Sequence, residues 1–127
     1  MKKTVLVAIK KPNQPLEVRE IEDKLEVLQK IVEGCIEAIY PMENLEDHSI
    51  TIFGNEEAKM IHQPSNFWLY NQQDCMCGTA IFFKDDEEGD MASLEPEDIK
   101  EIEKFLDKNK MTIYEHEVMD KYIKENF

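Results

Sequence analysis

TVLVAIKKPNQPLEVREI, residues 4–21, holds two strand signals on either side of a turn. Thr4 to Ile9 is an unbroken apolar, β-branched run, the pattern of a short buried strand. Pro12-Asn13-Gln14-Pro15 reads as a turn, because proline presets φ and asparagine tolerates left-handed backbone. Leu16 to Ile21 alternates apolar and polar residues, the period of a half-buried strand able to pair with the first.

Beyond this stretch the period changes. Leu25, Leu28, Ile31 and Val32 recur at helical spacing from Asp23, and Gly34 stands where a left-handed C-terminal cap belongs. Cys35 to Tyr40 reads as a short interior strand stopped by Pro41, and residues 42–47 as a polar loop. Ile50 to Phe53 and Lys59 to His62 flank Gly54-Asn55-Glu56-Glu57, which suggests a β-hairpin. Residues 63–74 read as a structured loop, and Cys75 to Phe83 as a strand with a bulge or close backbone approach at Gly78. Pro96 fits the first position of a helix running to about Lys108, with Ile99, Ile102, Phe105 and Leu106 as its apolar stripe. A last helix is expected from about Tyr114, with Val118, Tyr122 and Ile123 on one face. The expectation is a single α+β domain over residues 1–127. Residues 1–84 form the core, a mostly antiparallel sheet with an amphipathic helix on one face, and residues 85–127 an acidic loop and a C-terminal helical extension.

The composition is that of a globular protein with a heavily charged surface: 127 residues, 42% hydrophobic, formal net charge -13. The apolar run after Lys2-Lys3 stops at Lys10-Lys11, too short for a signal peptide, and no segment has the roughly 18 apolar residues of a membrane helix. Three cysteines, an odd number, make a disulfide framework improbable, so a cytoplasmic protein is expected. The charge is uneven, with 11 acids and two lysines between Asp85 and Asp107. Such a surface repels phosphate backbones, so direct nucleic-acid binding is not expected.

Candidate chemistry is sparse. Cys75-Met76-Cys77 could supply thiolates to a metal, but structural zinc sites place two or more residues between their cysteines. Alternate residues of a strand share a face, so core cysteines are the better reading, and neither a metal nor a cofactor is expected. Serine, cysteine, histidine and acids are all present, yet no segment sets them in a nucleophile context and the four glycines form no phosphate loop. No catalytic residue is assigned. Two other groups stand out. Phe67, Trp68 and Tyr70, with Asn66, could line a pocket that stacks and orients a small ligand. Asp85, Asp86, Glu87, Glu88, Asp90, Glu97 and Glu101 could form an acidic interaction surface, or simply a solvated face supported by nearby lysines.

Four segments in order, QKIVEGCIEAIYP (29–41), GNEEAK (54–59), Pro64-Ser65-Asn66 and DCMCGTAIFF (74–83), resemble the family known as domain of unknown function 3846. The resemblance covers roughly residues 4–108. Here Glu33 stands where such proteins usually have a second glycine, Ala58 replaces a hairpin glycine, and Cys75 and Cys77 replace aliphatic residues. Family members look like small acidic proteins of bacterial conjugative elements, phages and plasmids. The resemblance implies no reaction, substrate or catalytic residue. The expected function is a non-enzymatic accessory role in a mobile element, exercised by binding a protein partner. Alternatives are a small-ligand-binding module using the aromatic pocket, and an acidic DNA mimic that inhibits a host DNA-binding protein.

Overall fold

The computed structural model describes residues 3–41, 50–86, 88 and 90–127; the expected loop at 42–47 and Glu87 lie outside them. The elements run β1 (Thr4–Lys10), β2 (Glu17–Glu22), α1 (Leu25–Val32), β3 (Ile36–Ile39), β4 (Ile50–Asn55), β5 (Ser65–Leu69), β6 (Asp74–Cys77), β7 (Ala80–Asp85), β8 (Met91–Ala92), α2 (Pro96–Lys108) and α3 (Ile113–Asn126). The fold is α+β, as the sequence suggests. An antiparallel sheet has the order β2-β1-β7-β4-β3, with β8 pairing the end of β7, and a separate hairpin joins β5 to β6. No described helix is long and apolar enough to cross a membrane.

β7 organises the core because both its faces are covered. Ala80 and Phe82 point to one side with Ile52, while Ile81 and Phe83 point to the other with Val7. This explains the continuous apolar run from Ala80 to Phe83, since a segment buried on both faces has no position for a polar side chain, and Lys84 and Asp85 follow where burial lessens. Leu28 and Val32 of α1 cover the second face. Helices therefore do not gather on one face: α2, through Ile102, joins the β5–β6 hairpin over the first, where Phe67 and Met76 meet Phe82. Alternation then turns Trp68, Cys75 and Cys77 to the back of the hairpin, where Met111 and Ile123 close over them. The order is α1, main sheet, hairpin with α2, then α3.

Several expectations are corrected. Glu33, not Gly34, is the left-handed residue at the end of α1, with φ 64°. Gly34 is required for a different reason: a Cβ there would lie 2.5 Å from Asn55 Nδ2. β3 is an edge strand rather than an interior one, with Glu37 and Ala38 exposed. β2 is also an edge, and only Ile21 along it is fully buried. Residues 59–62 form no strand. The Asn55 side chain accepts from the Glu57 N–H (2.8 Å) and bends the chain into successive turns, leaving β4 to pair with β3 and β7. The expected loop at 63–74 contains β5, and the turn after it is built from three left-handed residues, Tyr70, Asn71 and Gln72. On α3, Ile123 is buried and Met119 partly so, whereas Val118 and Tyr122 face outward.

The run from Cys75 to Phe83 is not one strand. It breaks at Gly78 (φ 74°), so β6 and β7 enter different sheets. A Cβ at Gly78 would fall 2.0 Å from the Gln63 Oε1 as well as straining the backbone. Gly78→Ala is expected to cost about 1–3 kcal/mol, read as a lower urea midpoint at unchanged slope.

Candidate functional site

Where the β1–β2 turn, β5 and the junction of α2 with α3 meet, they enclose a cleft of about 450 Å³. Leu16, Leu106 and Ile113 supply its accessible apolar surface over the buried Phe67 and Met111, and its polar side chains include Lys10, Lys110, His116, Glu103 and Asp107. The volume lies within the range of small-molecule pockets, which combine apolar surface for affinity with a few polar groups for orientation.

Each wall has a local cause. Phe67 is fixed edge-on to Phe105, with ring centroids 5.8 Å apart and planes at 84°, so the cleft has a rigid aromatic base. Lys10 ends β1, and its ammonium donates to the Lys11 carbonyl (2.8 Å) and the Asn66 Oδ1 (3.3 Å). Burial lowers the pKa of Lys10, because removing water disfavours the charged form. Asn66 in turn donates to the carbonyls of Lys10 and Gly78, both at 2.8 Å, and so ties β1, β5 and the β6–β7 break together. Ser65 anchors α3: its Oγ lies 2.8 Å from His116 Nδ1, and its N–H donates to Asp120 Oδ1 at 2.8 Å. Thr112 caps α3 in a reciprocal pair with Glu115, whose other oxygen accepts from Trp68 Nε1 (3.2 Å). The backbone bond from Thr112, foremost, holds the Glu115 carboxyl below its ordinary range.

The four residues expected to line one pocket are separated. Asn66 and Phe67 belong to this cleft, Trp68 lies behind β5 against α3, and Tyr70 borders a third depression beyond the hairpin turn. The physical reason is strand alternation, which sends Phe67 and Trp68 to opposite faces. Asn66 is buried and its amide is spent on backbone carbonyls, which makes it a positioning residue. The described members of the acidic group are exposed or half-buried. Asp85 accepts from Thr51 Oγ1 (2.6 Å), Asp86 accepts from the N–H groups of Glu88 and Asp90, and Glu101 pairs with Lys104 (3.7 Å). Glu88, Asp90 and Glu97 are exposed. Sequence reasoning missed Lys10 and His116. The only signal for Lys10 was its place at the end of an apolar run, and none linked it to a histidine at the far end of the chain.

The family model for Domain of unknown function (DUF3846) matches residues 1–107. The chain belongs to the DUF3846 family. The matched span holds every described strand and α2 up to its last residue, so Met111 and His116 of this DUF3846 chain lie outside it. Comparison with curated proteins and with solved structures gives no match.

Cys75 and Cys77 are buried with their sulfurs 3.8 Å apart, the side-by-side arrangement that their spacing predicts. Their mutual hydrogen bond, with burial behind it, holds the Cys77 thiol far above its ordinary range. The same bond, with the nearby Lys59 ammonium, lowers that of Cys75. Among the described residues, no three His, Cys, Asp or Glu side chains gather as a metal site. Cys35 is exposed. Iodoacetamide under native conditions is therefore expected to modify Cys35 and leave Cys75 and Cys77, with all three modified in urea. Peptide mass spectrometry reads the outcome, and rapid native alkylation of Cys75 would contradict the packing behind the hairpin.

Proposed function

We propose that this protein acts by reversible, non-catalytic binding of a small organic molecule in the cleft between β5 and the α2–α3 junction. The observation that carries the reading is the cleft itself: a rigid apolar base at Phe67 with polar groups brought to it from β1, α2 and α3. The buried Ser65, occupied by His116 and Asp120, is not among its lining residues, which favours binding over acyl-transfer chemistry. An accessory role in a bacterial mobile element is part of the proposal, drawn from the family resemblance.

The test is a two-dimensional amide NMR titration of the full chain with a library of small metabolites. Saturable shifts confined to Lys10, Phe67, Met111 and their neighbours are expected. Shifts scattered over the surface, or none at millimolar ligand, would remove the proposal. Trp68 fluorescence is a poor reporter, because that ring lies behind the strand.

A protein partner is the second reading, supported by α3. Tyr114, Val118 and Tyr122 recur every fourth residue and share one outward face, with Tyr114 73% exposed. Capture of a bacterial protein by the native chain but not by a Tyr114→Ser, Tyr122→Ser variant would favour it. Equal capture by both would count against it.

A further inference from the structure

Lys10 is anomalous for this chain. Acids outnumber bases by 28 to 15, so a partly buried ammonium has every statistical opportunity to find a carboxylate. Other lysines do so: Lys84 reaches the buried Asp98 at 3.3 Å, and Lys59 is bonded to Asp74. Lys10 has no carboxylate partner among the described residues and instead meets two neutral oxygens, of Lys11 and Asn66. An ammonium has three donors, so one is left over. Asn66 is itself locked by two backbone carbonyls, so the oxygen that orients Lys10 cannot turn away. The result is a preoriented cation on an apolar cleft.

We infer that the ligand of the cleft is a small apolar molecule with a single carboxylate, which docks on Lys10 while its body lies on Leu16, Leu106 and Ile113, over the buried Phe67 and Met111. This rests on the cleft-binding reading above and adds the ligand's class. One charge is favoured over two. A phosphate dianion wants several convergent donors, such as an arginine fork, whereas Lys10 has one donor unspent, and of the other charged side chains lining the cleft Lys110 is exposed while Glu103 and Asp107 are acids. The two acids offset Lys10 and Lys110, so the charged side chains lining the cleft carry no net positive charge to hold a dianion. A monocarboxylate gains the charge-assisted bond at the smallest repulsive cost.

The experiment uses 3-phenylpropanoate, its uncharged amide, phenyl phosphate and 3-phenylpropylammonium, each titrated into the full chain and followed by amide NMR. The carboxylate is expected to bind in the cleft about tenfold more tightly than the amide, with phenyl phosphate weaker than the carboxylate. Lys10→Met should erase the preference for carboxylate over amide while amide binding persists, which also shows that the variant is folded. Lys110→Met, at an exposed position of the same cleft, should keep the preference. Equal binding of carboxylate and amide, or tightest binding of the ammonium or the phosphate, overturns the ligand class but leaves the cleft reading standing. No cleft shift from any of the four at millimolar concentration overturns both.

Discussion

Phe82→Ala is expected to remove about 3–5 kcal/mol of stability, a large share of the about 5–15 kcal/mol that holds a typical domain. Phe82 is completely buried in the central strand β7. Its ring stands 5.9 Å from that of Phe67 and 6.2 Å from that of Phe105, so three aromatics from the main sheet, the hairpin and α2 meet at one point. Removing the middle one leaves a cavity bounded by three elements that cannot all move inward, because β7 is held by β1 and β4 on either side. Urea denaturation monitored by circular dichroism reads the loss directly. Phe53→Ala, at a half-buried position on the opposite face, is the comparison and should cost visibly less. Equal costs would mean that the aromatic cluster is not the organising contact of the core.

The second large effect is expected at Asn55, where a single amide replaces an ordinary helix cap. Its Nδ2 donates to the carbonyls of Val32 (3.1 Å) and Glu33 (3.2 Å), and its Oδ1 accepts from the Glu57 N–H. The last carbonyls of any helix lack partners within it, and Asn55 reaches across from β4 to satisfy them. Asn55→Ala is expected to cost about 2–4 kcal/mol, because it strands carbonyls near the end of α1 and releases the turn that follows β4. Asn55→Asp keeps the size but presents oxygen to oxygen, so it should be at least as damaging as alanine. The close approach to Gly34 gives a second check. Gly34→Ala should be destabilising alone and markedly less so in an Asn55→Ala background, because the atom it strikes has gone. Additive costs in that double-mutant cycle would contradict the contact.

The sequence was most readable where local pattern and tertiary role agree. The first strand, the helix before Glu33 and the proline-started α2 were all evident, because each has the periodicity of the surface it buries. It misled where a distant side chain does the work of local structure. Met60 and Ile61 look like strand residues but are 66% and 51% exposed, because the turn is set by Asn55 before they are reached. Pro64 and Asn66 look like loop residues, yet Asn66 sits within β5 and its amide serves backbone carbonyls from two other segments. The cleft was half legible. Asn66 and Phe67 stood out by type, but Lys10 meets Asn66 only through the hydrogen bonds between β1 and β5, and Leu106 and His116 reach the cleft only by the return of the C-terminal helices.

That return has a thermodynamic consequence. α3 closes the back of the hairpin through Ile123 and also contributes His116 to the cleft at its front, with the bond to Ser65 joining the two roles. Occupancy of the cleft and the seating of α3 are therefore linked quantities. Whatever factor a cleft ligand adds to the seated population of α3, a macromolecule holding α3 seated through its outer tyrosines returns to that ligand's affinity. A metabolite and a protein would then be two inputs to one equilibrium, and the two readings of function would differ only in which input was measured.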